Sequence, residues 1–142
     1  MSFLLDTNVV SEEIKPRPDP GVSQWLREAD EDRVFVSAVT LAELRFGTAR
    51  LPDSRRRRMI EDWLTHQVMQ RFAGRLLAVD TAVADTWGEV VAASYATGRP
   101  ISILDGFLAA TAAVHDLTLV TRNISDFVAT GVSLLNPWTD VS

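Results

Sequence analysis

Three carboxylates stand where an apolar run gives way to a turn or a helical pattern begins. Asp6 follows Phe3-Leu4-Leu5, Glu43 lies on the helical stretch after Val34-Phe35-Val36, and Asp105 opens an alanine-rich segment that starts at Ser102. Asn123 and Asp126 follow a further apolar run, Leu117 to Val120. Oxygen ligands delivered from four separate stretches to one crevice would repel one another, and raised pKa values would neutralise some of them unless a cation were present. Hard oxygen donors with no His or Cys beside them favour Mg²⁺ or Mn²⁺ over zinc. Such an ion, alone or as a pair, activates water and stabilises the charge that builds on a phosphate during in-line attack. Metal-assisted phosphodiester hydrolysis is the chemistry this set of residues could perform.

Each acid also has an ordinary structural reading. Asp6 could open the turn after a strand, as Asp often does. Thr40-Leu-Ala-Glu43 spells a capping box, in which Glu43 folds back onto the Thr40 N–H. Ser102-Ile-Leu-Asp105 looks like a helix start, where the macrodipole favours Asp. Singly these are the commoner readings, and spacing alone leaves both open. One metal site accounts for all three at once.

The elements that would position these acids follow from periodicity. Phe3–Leu5, Val34–Val36, Leu76–Val79 and Leu117–Val120 read as strands, with a last apolar stretch at 132–135. Pro16, Pro18 and Pro20 mark a surface loop. Val22, Trp25, Leu26 and Ala29 form the stripe of an amphipathic helix. Ser37 to Arg50 is helical, with Val39, Ala42, Phe46 and Ala49 facing inward. Pro52-Asp53-Ser54 then separates it from a helix through Met59, Ile60, Trp63 and Leu64 to about Phe72. A helix through Val83, Trp87, Val90, Val91 and Tyr95 closes with Gly98 at C′, and another spans Ser102 to His115. Strands alternating with helices imply βαβ units, hence an α/β fold with a mostly parallel sheet of about five strands flanked by helices, taking residues 1–142 as one domain. Ligands of such sheets bind at the carboxyl ends of the strands, near a switch point.

Composition sets the limits. A chain of 142 residues fits one core burying close to about 70% of its unfolded surface. There is no cysteine, which excludes disulfides, thiolate zinc sites and cysteine nucleophiles and suits a reducing cytosol. No signal-peptide pattern precedes Asp6 and no apolar run approaches the ~20 residues of a membrane helix, so a soluble, cytoplasmic protein is expected. The net charge of −5 is unusual for a nucleic-acid partner. Its distribution matters more: all but one of the 14 cations are arginines, and Arg55 to Arg58 form a single run. On a helix those four spread around the axis, usually as a solvated face, although a grip on RNA phosphates is the alternative.

The motifs around the acids resemble those of PIN-domain toxins of the VapC and FitB type. Phe-Leu-Leu-Asp6-Thr7-Asn8-Val-Val-Ser11-Glu12 looks like their opening, and Ser37-Ala-Val-Thr40-Leu-Ala-Glu43-Leu-Arg45-Phe-Gly47 is similar to their second motif. Asp105-Gly106-Phe-Leu-Ala-Ala-Thr111 resembles the third, Leu-Thr-Leu-Val-Thr121-Arg122-Asn123 the fourth, and Asn136-Pro137-Trp138 the end of the FitB-like branch. The resemblance implies a PIN-like three-layer sandwich and a Mg²⁺-dependent endoribonuclease acting as the toxin of a type II toxin–antitoxin system. It makes Asp6, Glu43 and Asp105 the metal-binding acids, with Asp6 and Asp105 holding the ion and Glu43 completing the site or orienting the attacking water. Asn123 stands where some members carry an aspartate, and Asp126, three residues on, could compensate. The resemblance also implies an antitoxin partner, an RNA substrate and a homodimer that can assemble further.

Other features are weaker. Thr7, Asn8 and Ser11 can donate to a carboxylate or a phosphate. Arg122 could clamp a phosphate or form a salt bridge. His66 and His115 are too far apart for a helical zinc pair, and the four tryptophans read as core or interface. A phosphatase or dehalogenase using Asp6 as nucleophile would want a second acid at position 8, where Asn8 stands, and a phosphate-binding switch module would want a lysine near the pocket, whereas Lys15 is the single lysine. No P-loop occurs. The rival outside enzymology is a PIN-fold module that binds RNA or protein without cleaving.

Overall fold

The computed structural model describes residues 1–139. Its centre is a five-stranded sheet in the order β3-β2-β1-β4-β5, with β1 Phe3–Leu5, β2 Val34–Ser37, β3 Leu76–Leu77, β4 Thr118–Val120 and β5 Leu134–Leu135. Every neighbouring pair is parallel, with Leu5 in register with Val36 on one side and Val120 on the other. Seven α-helices connect the strands: α1 Thr7–Glu12, α2 Pro20–Glu28, α3 Ala38–Ala49, α4 Arg55–Trp63, α5 Thr81–Ala96, α6 Ile103–His115 and α7 Ile124–Phe127. A π-helical turn, Leu64–Met69, continues α4.

Strand residues alternate between two cores. Leu5, Val34, Val36 and Val120 pack with Val9, Val10, Val22, Leu44, Leu64 and Val68, from α1 to the π-helical turn. Leu4 and Leu119 turn to the opposite face and pack with Leu108, Ala109, Ala112 and Phe127. The chain first winds outward from β1 to β3, then returns across β1 to β4 and β5. Because parallel crossovers are right-handed, reversing direction transfers the helices to the other face. The result is a three-layer α/β sandwich whose switch point lies between the carboxyl ends of β1 and β4.

Several expectations need correction. The inward residues of α3 are Val39, Thr40, Leu44 and Thr48, while Ala42, Phe46 and Ala49 face out and Phe46 is 64% exposed. Thr48 escapes the cost of burial by donating its hydroxyl to the Leu44 carbonyl, 2.7 Å away. Pro20 starts α2 rather than belonging to the loop with Pro16 and Pro18, as the missing N–H of proline is harmless at a first helical position. β3 ends at Leu77, short of Val79, and Asp80 caps α5 by accepting from the Val83 N–H. Gly98 has φ +72°, the left-handed conformation expected at C′. Among the described residues, no helix is long and apolar enough to cross a membrane.

Candidate active site at the sheet switch point

Asp6 is the first residue after β1. Its backbone N–H still belongs to the sheet, donating to the Val120 carbonyl at 2.9 Å, while its side chain caps α1. Oδ1 accepts from the Thr7 N–H at 2.6 Å and Oδ2 from the Thr121 hydroxyl at 2.8 Å. Thr121, the first residue after β4, is fully buried and also accepts the Asn123 N–H at 3.0 Å. The ends of the two strands at the switch point are therefore stitched together through one carboxylate.

Glu43 projects from α3 towards α1. Thr7 donates its hydroxyl to Glu43 Oε1 at 2.9 Å, and the Thr40 hydroxyl lies 3.4 Å from Thr7 Oγ1. The capping-box reading of Thr40 and Glu43 fails, because Ser37 is the N-cap of α3 and Thr40 lies inside the helix. Asp105 stands in the first turn of α6, where its N–H donates to the capping Ser102 hydroxyl at 3.2 Å. The helix-start reading of Asp105 is correct, and its carboxylate also takes a hydrogen bond from the capping Ser102 side chain. Asp126 occupies the first turn of α7.

Electrostatics tie these groups together. Burial pushes the Asp6 carboxyl above its ordinary 3.8, against the hydrogen bonds from Thr121 and Thr7, and the charges of Glu43 and Asp126 push it further. Burial also raises Asp105, with added repulsion from Asp6 and Asp126 and an opposing hydrogen bond from Ser102. Asp6 and Asp105 are thus made harder to ionise by the acids around them. Among the described residues, no three acids are already gathered at the spacing of a preformed ion cage. The donor chemistry nonetheless fits a hard divalent cation: the groups are carboxylate oxygens, and the cost of their charge is what such an ion relieves.

Asp6 lies within electrostatic reach of Glu43, Asp105 and Asp126, and Asp105 and Asp126 line one cleft. Asn123 is exposed at the start of α7, and the contact it makes at the site is through its main-chain N–H. Asn8 touches both strand ends, donating to Asp6 Oδ2 at 3.5 Å and accepting from the Arg122 N–H at 3.4 Å. Ser11 instead turns back to the Asn8 carbonyl. Arg122 enters no ion pair among the described residues, and its guanidinium lies 5.4 Å from the centre of the Trp138 ring. In the arginine run, Arg57 is tied to Glu61 and the Leu51 carbonyl, and Arg58 to Asp53. Arg55 and Arg56 border an apolar recess with Ile14, Met59, Ile60 and Trp63, a lining that includes none of the site acids. Sequence reasoning gave Thr121 no role. A hydroxyl directly after a central strand, one strand from Asp6, was the available signal.

Fold and site together define a class, that of the PIN domain, whose family model matches residues 3–131. Toxin FitB of Neisseria gonorrhoeae is 39% identical over 138 residues, 97% of this chain and 99% of its own length. VapC ribonuclease Y4jK of Sinorhizobium fredii is 38% identical over 136 residues, 96% of this chain and 97% of its own. The crystal structure of FitAcB from Neisseria gonorrhoeae superposes with a TM-score of 0.92 at 38% identity, over 96% of this chain and 99% of that one. The chain belongs to the PIN-domain family, among the toxins of the VapC and FitB type.

Proposed function

We propose that this protein is a divalent-metal-dependent endoribonuclease and the toxin of a type II toxin–antitoxin pair. The observation that carries this reading is the meeting of Asp6, Glu43, Asp105 and Asp126 at the switch point of a chain whose relatives include a VapC ribonuclease and toxin FitB. Asp6, Glu43 and Asp105 would hold Mg²⁺ or Mn²⁺, and the ion, when bound, supplies a Lewis acid for the scissile phosphate and an activated water. The Thr121 hydroxyl and the Thr7 N–H fix the two oxygens of Asp6. The Thr7 hydroxyl aims Glu43, which orients the attacking water and takes its proton. Asp126, not Asn123, supplies the fourth acidic position. The substrate is single-stranded, in a loop or bulge where bases are exposed.

A cognate antitoxin is the expected protein partner, since FitAB and VapBC relatives have been solved as complexes. A homodimer in the cytoplasm is the state we assign to the free protein, which leaves Phe46 and Tyr95 more than half exposed as a single copy.

Purified protein free of antitoxin is expected to cut a mixed cellular RNA pool in Mg²⁺ and to stop in chelator. Cleavage in neither condition would favour a binding module. Thr7→Val keeps the volume and removes the hydroxyl that holds Glu43. The loss of one charge-assisted hydrogen bond, about 1.5 kcal/mol, should lower single-turnover cleavage about tenfold. An unchanged rate would mean that Glu43 is aimed by something else.

A further inference from the structure

An RNA strand that places one phosphate among four carboxylates must carry its next phosphate away over a surface that repels it. Beside Asp105 and Asp126 lies a cleft of about 430 Å³, lined also by Arg99, Pro100, Ile101, Ser102 and Ser125. A second cavity of about 340 Å³ continues from it between α5 and α7, and the two share Arg99, Ile101 and Asp126. Both volumes fall in the range of about 300–1,000 Å³ typical of small-molecule sites. Arg99 is the one cation lining either cavity, it is exposed, and it enters no ion pair among the described residues. The second cavity is walled by Val90, Ala93, Ile101 and Ala129, with Glu89, Ser94 and Thr130 adding polar groups.

The loop carrying Arg99 is fixed in place. Its N–H donates to the Ser94 carbonyl at 3.1 Å, and the Ile101 N–H donates to the Ser94 hydroxyl at 3.1 Å. That hydroxyl is anchored in turn on the Val91 carbonyl of α5 at 2.7 Å. An arginine on a braced loop, at the junction of an acidic cleft and a cavity with apolar walls, suits a nucleotide: guanidinium to phosphate, apolar wall to base.

We propose that Arg99 and the adjoining cavity form a nucleotide subsite that holds the RNA residue flanking the scissile phosphate, with Arg99 on its phosphate and Ile101, Val90 and Ala93 against its base. The proposal rests on the reading of the acidic site as a ribonuclease centre and adds to it a place where base preference is set. Arg99→Ala is the test, with Arg33→Ala as a control for loss of one exposed charge. The probes are a mixed-sequence single-stranded RNA 12-mer for binding in chelator across a salt series, and the cellular RNA pool for cleavage in Mg²⁺ with the cut ends sequenced.

Arg99→Ala should weaken 12-mer binding about tenfold and flatten the salt slope by about 0.7, the value for one phosphate contact on a single strand. It should raise KM with little change in kcat, and Ala93→Trp, which fills the cavity, should change the base preference at one position beside the cut. Arg33→Ala should do none of this. Binding, salt slope and cut-end pattern all unchanged in Arg99→Ala, with wild-type cleavage intact, would overturn the subsite and leave the nuclease standing. If the wild-type protein cuts nothing, the ribonuclease reading falls, and the 12-mer affinity of Arg99→Ala still decides whether Arg99 binds RNA.

Discussion

Asp6→Asn is expected to lower RNA cleavage by at least about 100-fold while making the chelator-treated protein more stable. The loss follows from removing one of the charges that would hold the ion and, through it, the scissile phosphate; deleting one preorganised electrostatic contact commonly costs about 10²–10³ in rate. The gain has a separate cause. Asp6 is 6% exposed, and burial together with Glu43 and Asp126 raises its carboxyl pKa despite the hydrogen bonds from Thr121 and Thr7. An acid whose folded pKa lies above its unfolded value of 3.8 binds more protons when folded, throughout the window between the two. Its contribution is complete below 3.8 and is lost as pH rises through the folded value, so at neutral pH the ionised carboxylate destabilises the metal-free fold. Asparagine removes that charge and keeps a carbonyl for the Thr7 N–H, while its amide can donate to the Thr121 hydroxyl.

The expected gain in chelator is roughly 1 kcal/mol, about 3 °C for a chain of this size. Mg²⁺ should raise the melting temperature of the wild type and leave that of the variant almost unmoved. Asp105 carries a shift of the same sign, so its contribution to the stability of the chelated wild type should also grow as pH is lowered towards 3.8. A chelated Asp6→Asn protein that melts below the wild type would mean that the carboxylate serves mainly as the N-cap of α1.

That contest between a cap and a ligand is also why the site was only partly legible in the sequence. Asp6 and Asp105 sit where any helix start or strand end might put an Asp, and both do serve local geometry: Asp6 caps α1 and Asp105 occupies the first turn of α6. What separates them from ordinary caps is their mutual charge, which depends on the β1–β4 pairing and on no local pattern. Glu43 shows the converse. Its local pattern with Thr40 was a false capping box, because the helix begins three residues earlier at Ser37.

The parallel sheet and the helices on both its faces were legible because β1, β2 and β4 are short apolar runs bounded by polar turns. The phase of α3 was not. Its buried face includes Thr40, whose hydroxyl meets Thr7 of α1, and Thr48, whose hydroxyl bonds the Leu44 carbonyl one turn back, whereas Phe46 is solvent-facing with Arg50 over its ring at 5.3 Å. Counting apolar residues selects the wrong side of such a helix. Asn123 and Asp126 differ by less than one helical turn, and only the placement of α7 against the cleft distinguishes them.

Gly106→Ala should cost both stability and activity, although alanine is intrinsically the better helix former by about 1 kcal/mol. A Cβ at position 106 would lie 2.8 Å from Trp87 Nε1, 2.9 Å from Val91 Cγ2 and 3.1 Å from Trp87 Cδ1. The indole cannot easily yield. Its N–H donates to the Ile103 carbonyl at 3.0 Å, and its ring stacks on Phe107 at 5.2 Å with an interplanar angle of 21°. Relief must then come from separating α5 and α6, the cost of overpacking is about 1–3 kcal/mol, and it exceeds the gain in helix propensity. The residue carried along is Asp105, the immediate neighbour. A displacement of about 1 Å at a reacting centre can cost about 100-fold, so cleavage should fall at least tenfold even where the fold survives. Trp87→Phe removes the clashing nitrogen along with its hydrogen bond, so the double variant should be more stable than the two single losses added together. The thermal melts of the four proteins measure that coupling directly. If Gly106→Ala melts at or above the wild type and cuts RNA at the wild-type rate, the close approach of α6 to α5 does not position Asp105.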